Sequence, residues 1–355
     1  MPRDLRSRQR SRAALAASLL ALTSMAVPIA DACGLFVRDL SPEQRPSLAR
    51  EKVLIIHDRE RGQQHFVREV AFARAGEPFG FVVPTPTRPS VAALTSSPFT
   101  GLRSSFPFTA PPEFPPGGGG TGPAYGGHAQ GVEVLSVERV GSFTAFVLSA
   151  TDERGLAEWL AANQLLQSDA TEAWLAHYVR MGFYYVALRW EPPKPNAASL
   201  ASETIVAETL RISFATPIPY YPYLEPDAEP DAEPASEPRL LELWMIGTAA
   251  VEPIALREHE GRRRWVRPLR AGQRHDDARA AIEAALEPEL EALLPAGPLV
   301  LQTFQDQKSA RPGFADVLFA TLDASTWTPA QLAALEPMLG VLDPALVPAK
   351  AEAAK

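Results

Sequence analysis

Apolar and polar residues alternate along several short stretches of the chain, and this pattern predicts β-strands. In the segment 63–73, Phe66 and Phe72 recur at an even spacing, so they share one predicted face. The segment 52–58 carries an apolar run, and the turn around Gly62 predicts a hairpin between the two segments. Further strands are predicted at 79–86, 132–140, 142–150, 183–190, 208–216, 239–251, 298–305 and 315–322.

A spacing of three to four residues between apolar positions predicts two consecutive helices, at 152–165 and 169–182. A further helix is predicted at 275–294, with a break before Pro288, and a short one at 328–339. Since strands come in runs with helices grouped between them, we expect an α+β fold. Its sheets should be mostly antiparallel, with the helical pair packed on one side.

The N-terminus has the order of charge and hydrophobicity that is typical of a secretory signal peptide. Five arginines precede a long uncharged run, and Ala30 and Ala32 place small side chains before a cut at Cys33. This order predicts a signal peptide at 1–32. The apolar run is shorter than the roughly 20 residues that span a membrane, although an uncleaved anchor helix is the alternative.

Cys33 is the single cysteine of the chain, and the predicted cut makes it the first mature residue. An internal disulfide is therefore excluded. Lipidation of Cys33, as in bacterial lipoproteins, is one hypothesis, but such signals usually have an aliphatic residue where Ala30 stands, and Asp31 adds a charge. We therefore expect an exported protein, periplasmic or extracellular, with a lipid anchor on Cys33 as the alternative.

Two low-complexity stretches interrupt the predicted elements. Segment 107–131 is dense in proline and glycine, which predicts a disordered loop. Some of its glycines have the spacing of a dinucleotide-binding fingerprint, but the prolines on both sides do not permit the strand and helix that this motif needs, so we expect no cofactor. Segment 225–238 repeats proline and carboxylates, which predicts an extended linker. It would separate an N-terminal part, 33–224, from a C-terminal part, 239–347, ahead of a frayed tail at 348–355.

Charge and hydropathy exclude two kinds of behaviour. The formal net charge is -8, which does not suit a nucleic-acid-binding protein. After the predicted signal peptide, the longest apolar run is 240–251, and Glu242 interrupts it. No membrane-spanning segment is therefore expected once the signal peptide is removed.

Several segments resemble the bacterial domain-of-unknown-function family 2330. They are FGFVVPTPTRPSV at 79–91, GLAEWLAANQL at 155–165, LAHYVRMGFYYVALRW at 175–190, TLRISFATPIPYYPYL at 209–224 and LELWMIGTAAV at 241–251, and the start ACG at 32–34 also fits. The resemblance is collinear and covers most of residues 32–250. Relatives often carry a second cysteine soon after the first, where this chain has Val37 and Arg38, so no N-terminal disulfide or metal role is implied. The resemblance implies an exported, envelope-associated setting and no catalytic residues.

The chain contains no nucleophile elbow, no phosphate-binding loop and no helical zinc motif. His57 and His65 flank the predicted hairpin turn, and they are weak candidates for a metal site if both imidazoles share one face of the sheet. The alternative is two polar residues beside a turn. We expect no metal and no catalytic residues.

Aromatic residues supply the candidate ligand surface. Tyr220, Tyr221 and Tyr223 lie in a proline-rich segment, and Trp265 lies in the basic segment 261–270. Exposed tyrosines would suit a sugar or a peptide, and arginines beside Trp265 would suit an anionic glycan or a lipid headgroup. The alternative is that these rings belong to the core.

Two functional hypotheses from different classes follow from these features. The first is an exported, non-catalytic binding or structural module of the bacterial cell envelope, whose partner is an envelope protein or a cell-wall polymer. The second is an exported hydrolase with a carboxylate site that the sequence does not reveal. A pocket where two carboxylates converge, one of them with a raised pKa, would favour the second hypothesis.

Overall fold

The structure is a computed structural model, which describes residues 35–37, 47–73, 78–108, 132–163, 165, 169–190, 204–226, 239–307, 311 and 313–321. The predicted signal peptide and Cys33, nearly all of the 107–131 stretch, most of the 225–238 segment, the predicted helix at 328–339 and the tail lie outside these residues. Among the described residues, no helix is both long and apolar enough to cross a bilayer.

The largest sheet has eight strands. Its main path runs through β15 (Arg270–His275), β16 (Val300–Asp306), β12 (Leu240–Gly247), β2 (Ser47–Asp58), β3 (Gln63–Ala73), β10 (Leu210–Ala215) and β5 (Ser90–Ala93), and β9 (Thr204–Val206) also pairs with β3. Strands β2 and β12 run parallel to each other. The other strand pairs of this sheet are antiparallel. We call it the central sheet.

Two smaller sheets complete the described strands. One has the order β1 (Leu35–Val37), β4 (Phe79–Thr85), β8 (Tyr184–Trp190), β7 (Phe143–Ala150) and β6 (Val132–Val140). The other has the order β11 (Tyr220–Tyr221), β17 (Val317–Thr321), β13 (Val251–His259) and β14 (Arg262–Val266). The predicted single strand at 239–251 is therefore wrong, because it contains β12 and the start of β13, which belong to different sheets.

Five helices are described: α1 (Phe99–Ser105), α2 (Glu153–Ala162), α3 (Asp169–Arg180), α4 (Arg279–Ala285) and α5 (Pro288–Glu291). The expected break before Pro288 separates α4 from α5. The described residues are thus mostly β-strand in several antiparallel sheets with few helices, which confirms the α+β class in its broad form.

In the middle of the central sheet, at β2, β3 and β12, both faces are buried, and each belongs to a different core. On β2, Val53 and Ile55 join a large core that includes the five-stranded sheet, whereas Leu54 and Ile56 join a smaller core with residues of α1, α4 and α5. Burial on both faces explains why the segment 52–58 carries a continuous apolar run rather than an alternating pattern.

Helix α1 lies close against α4 because glycine occupies the point of contact. A Cβ atom at Gly101 would lie 2.3 Å from the carbonyl oxygen of Ala285, which is far shorter than any ordinary contact. This close approach brings the last turn of α1 over β12, where the guanidinium of Arg103 contacts Glu242.

Candidate functional site

The three tyrosines of the candidate ligand surface are buried. Tyr220, Tyr221 and Tyr223 each have a relative exposure of 0%. Tyr220 and Tyr221 form β11, and the ring of Tyr221 lies 6.0 Å, centroid to centroid, from that of Phe66 on β3. The hypothesis that these rings form an exposed platform is therefore wrong, and they belong to the core, because the segment packs beneath the central sheet instead of projecting from it.

Buried tyrosines need hydrogen-bond partners for their hydroxyl groups, and here the partners are carboxylates. The hydroxyl of Tyr221 donates to Oε2 of Glu51 at 2.9 Å, and that of Tyr223 donates to Oδ2 of Asp306 at 2.7 Å. Glu51 lies on β2 and Asp306 on β16, and both are buried. Burial also raises the pKa of Tyr223, so its hydroxyl keeps its proton and remains a donor.

Arginines neutralise the same two carboxylates. The Nε atom of Arg68 donates to Oε1 of Glu51 at 2.7 Å, and Nε of Arg311 donates to Oδ2 of Asp306 at 3.1 Å. The guanidinium of Arg311 also lies 4.0 Å from the ring centroid of Tyr223, in cation–π geometry. Each of these two buried carboxylates therefore has at least one arginine and one tyrosine as partners.

A third carboxylate extends this cluster toward the end of the N-terminal part. Glu225 forms ion pairs with Arg239 and with Arg311, the latter at 3.4 Å. We call the cluster the tyrosine–ion network; its members are Glu51, Arg68, Tyr221, Tyr223, Glu225, Arg239, Asp306 and Arg311. Its charges are buried and paired with one another, which is how a protein interior accommodates ions.

Asp316 binds residues 220–224, which we call the tyrosine segment. Its carboxylate accepts hydrogen bonds from the hydroxyls of Tyr178 at 2.9 Å and Tyr220 at 2.8 Å, and from the backbone N–H groups of Tyr223 at 2.7 Å and Leu224 at 2.8 Å. Burial raises the pKa of Asp316 from 3.8 to about 6, against the opposing effect of these four donors. Asp316 therefore titrates close to neutral pH.

The two candidate metal ligands project from opposite faces of the central sheet. The register pairs His57 with Gln64, the residue before His65, so an expected shared face does not exist. The ring of His57 donates from Nε2 to the carbonyl oxygen of Thr216 at 2.9 Å, and Nδ1 of His65 lies 2.8 Å from the hydroxyl of Ser213. Burial lowers both pKa values, that of His65 to about 4. Within the described residues, no group of three or more His, Cys, Asp or Glu side chains is placed to hold a metal.

Trp265 is half-buried and packs against the large core. It lies opposite Leu256 in the β13–β14 register, whereas Arg262 and Arg264 occupy the alternate positions of β14. Side chains at alternate positions of a strand point to opposite faces. The proposed surface of arginines beside an exposed Trp265 is therefore corrected: the arginines are exposed, and the tryptophan points to the other face.

A row of charged side chains that the sequence did not single out crosses the small-core face of the central sheet. Lys52 on β2 lies directly between Glu69 on β3 and Glu242 on β12 in the strand register. The Nζ atom of Lys52 is 2.6 Å from Oε1 of Glu69, and the hydroxyl of Thr209 donates to the other oxygen of Glu69 at 3.3 Å. We call these three residues the Glu69–Lys52–Glu242 row.

Glu242 is the unusual member of this row, because its relative exposure is 0%. Arg103 of α1 donates to Oε1 of Glu242 at 2.7 Å, while Oε2 is buried without a hydrogen-bond partner among the described residues. Burial raises the pKa of Glu242, and the charges of Arg103, Arg50 and Lys52 oppose the shift. Arg103 is 41% exposed, so it connects the buried carboxyl to the surface.

The row combines two carboxylates whose environments differ. Glu69 is ion-paired with the ammonium group of Lys52, whereas burial favours the protonated form of Glu242. Such a pair meets one requirement of acid–base chemistry. In the sequence, the corresponding feature is a single glutamate inside an otherwise apolar run at 240–251, which indicates a buried charge but not its partners.

The family model described as "Uncharacterized protein conserved in bacteria (DUF2330)" matches residues 27–224. The chain belongs to the DUF2330 family. A comparison with curated proteins finds no match. Among solved structures, the chain is similar to that titled "Crystal structure of baculovirus P35", with 10% identity over 82% of this chain and 94% of that chain. The TM-score of 0.34 is too low for this similarity to support any conclusion.

The DUF2330 match ends before several residues that complete these clusters. Glu51 and Lys52 lie within the matched segment, whereas their neighbours Asp306, Arg311 and Glu242 come from residues after 224. Both the tyrosine–ion network and the Glu69–Lys52–Glu242 row therefore need the C-terminal part of this DUF2330 protein.

We predict that Arg68→Met strongly destabilises the DUF2330 fold. Arg68 and Glu51 are 3% and 2% exposed, and the substitution removes the arginine that is hydrogen-bonded to buried Glu51, which costs about 3–5 kcal/mol. Equilibrium unfolding in urea measures this loss. Arg154→Ala is the matched control, since its pair with Glu158 is 80% and 60% exposed and contributes less than about 0.5 kcal/mol. Similar losses in both variants would contradict a stabilising role for the network.

We also predict that Asp316 makes stability fall as pH rises through about 6. Because its folded pKa of about 6 exceeds the ordinary value of 3.8, the native state binds a proton between these values that the unfolded state has released. This contribution is present below pH 3.8 and disappears above 6. We expect the unfolding free energy of the wild type, relative to Asp316→Asn, to fall by about 2–3 kcal/mol between pH 4 and pH 7.

His65 provides a control of opposite sign for that experiment. Its folded pKa of about 4 lies below the ordinary value of 6.5, so the unfolded state binds the extra proton and stability rises with pH in this window. The wild type, relative to His65→Gln, should therefore gain stability from pH 4 to pH 7. A difference of the same sign for both variants would contradict the assignment to Asp316.

Proposed function

We propose that this DUF2330 protein is an exported protein of the bacterial cell envelope that acts as a non-catalytic binding or structural module. Export is supported by the N-terminal order of arginines, uncharged run and small residues before Cys33. In this proposal the mature protein is periplasmic or extracellular, soluble or anchored by a lipid on Cys33. Its partner is an envelope protein or a cell-wall polymer.

One observation carries the non-catalytic part of the proposal: three carboxylates of the fold are bound by donors from other elements. The carboxylates of Glu51, Asp306 and Asp316 are each held by two or more hydrogen-bond donors from other elements of the fold. Hydrogen bonds from groups of the fold to these carboxylates favour a structural role over a catalytic one. These groups therefore serve packing and register.

Mass spectrometry of the protein purified from its own bacterium, together with cell fractionation, tests export. We expect a mature chain that begins at Cys33, in the periplasm or outside the cell. A diacylglyceryl mass on Cys33 with membrane association would select the lipid-anchored form. A chain that retains Met1 and stays in the cytoplasm would overturn the proposal.

A carboxylate-dependent hydrolase is the second candidate, and the Glu69–Lys52–Glu242 row favours it. The raised pKa of Glu242 would supply a general acid, and Glu69 is the second carboxylate, on the other side of Lys52 in the strand register. Under this candidate, the wild type hydrolyses at least one substrate among nitrophenyl esters, nitrophenyl glycosides and casein, and Glu242→Gln lowers the rate at least about 100-fold.

Glu158→Gln is the matched control for this assay, because Glu158 is an exposed glutamate on α2. It should retain full activity if Glu242 is the acid. No turnover by the wild type, or equal activity of Glu242→Gln, would remove the hydrolase candidate and leave the binding module.

A further inference from the structure

One surface of the hairpin formed by β13 and β14 carries an unusual concentration of positive charge. The two strands are joined by Glu260 and Gly261, both with positive φ, as in a two-residue hairpin turn. The register places Arg257 opposite Arg264, and His259 opposite Arg262. These two cross-strand pairs lie two positions apart along the strands, so their side chains share one face.

Like charges that face each other across a strand pair destabilise a hairpin. Arg257 and Arg264 occupy such a pair, and no described carboxylate forms an ion pair with either of them or with Arg262. The Nε atom of Arg257 is buried without a hydrogen-bond partner among the described residues, and its guanidinium lies 4.7 Å from the ring centroid of Phe314. Both arginines therefore gain from an anion bound between them.

Two surface arginines nearby differ from this group, because each has a carboxylate partner. Arg267 contacts Glu252 at 2.6 Å, and Arg274 contacts Asp276 at 2.8 Å. The protein is acidic overall, with a net charge of -8, so nothing in the general composition requires an uncompensated basic patch. We call Arg257, Arg262 and Arg264 the arginine face. His259 lies opposite Arg262, and its Nδ1 atom is 4.0 Å from Oε2 of Glu260.

The geometry of the arginine face suits a linear ligand. Residues two positions apart on a strand are separated by roughly 7 Å, and directly opposite residues by about 5 Å. Cations therefore repeat along the strand direction. They lie at the edge of a sheet, because β14 is an edge strand. A chain with regularly repeated anionic groups can meet several of them in one extended conformation.

The same surface is poorly suited to a membrane. Glu260 at the hairpin tip is 84% exposed, so a carboxylate would meet the anionic headgroups first. Trp265 points to the other face, and the large hydrophobic residue that is well exposed in the described chain, Val137, lies on β6 in another sheet. No apolar side chain is therefore available here for insertion.

We propose that the arginine face binds a linear anionic polysaccharide of the cell envelope. This inference rests on the proposed function, because the envelope location supplies the polymer, and it names the chemical class of the partner. Arg257, Arg262 and Arg264 contact the anionic groups.

Isothermal titration of the full chain with polygalacturonate tests the proposal, with dextran as the uncharged polymer and phosphatidylglycerol vesicles as the membrane probe. We expect binding to polygalacturonate that weakens as salt is raised, and no binding to dextran. Arg262→Gln combined with Arg264→Gln should weaken binding at least about tenfold. The control combines Arg267→Gln with Arg274→Gln, which removes the same charge from arginines that already have partners, and should change affinity less than about twofold.

Several results would overturn the proposal: no binding to polygalacturonate, equal losses in the two double variants, or tighter binding to the vesicles than to the polymer. The Arg262→Gln, Arg264→Gln variant should unfold at the same or a higher urea concentration than the wild type, because it removes like-charge repulsion; a lower midpoint would also count against the proposal. The outcome is independent of cell fractionation. If the protein is cytoplasmic but binds the polymer, the proposal of export is wrong and this inference stands. If the protein is exported but does not bind the polymer, only this inference is wrong.

Discussion

Charge is buried between the central sheet and the tyrosine segment, and its pairing determines how those elements can be arranged. Glu51 needs both Arg68 of β3 and Tyr221 of β11, and Asp306 of β16 needs Arg311 and Tyr223. An apolar contact tolerates a small shift, but an ion separated from its partner in this interior costs several kcal/mol. We infer that the tyrosine–ion network fixes strand register where apolar packing alone would leave it less strictly defined.

The two parts of the chain that the acidic segment separates share one sheet. Strand β12 lies between β2 and β16, so the C-terminal part completes the sheet begun by the family-matched segment. Lys52 lies opposite Glu242 in the register of β2 and β12, so the two parts are in contact there. The charges of Glu51 and Arg311, one from each part, also attract each other. Strands from before and after the acidic segment at 225–238 therefore belong to one sheet.

The sequence predicted most strands and helices α2 and α3, because alternation and helical spacing are local properties. It did not predict which face a side chain would occupy. The four-residue turn after Asp58 pairs His57 with Gln64, and one residue of difference in register separates the two histidines to opposite faces. The tyrosines were ambiguous for a related reason: proline-rich segments are usually exposed, and their hydroxyl partners, Glu51, Asp306 and Asp316, are distant in sequence. Contacts of this kind join residues far apart in sequence, so no local sequence pattern predicts them.

The parallel pairing of β2 with β12 has a consequence for how the chain folds. β2 lies near the middle of the central sheet, yet one of its neighbours comes from residues 240–247, almost two hundred positions later. During synthesis from the N-terminus, one edge of β2 stays open until the late strand has emerged, and long-range pairing of this kind forms slowly. The polypeptide therefore has a prolonged interval in which it is incompletely assembled, with an unsatisfied strand edge that a chaperone is suited to shield.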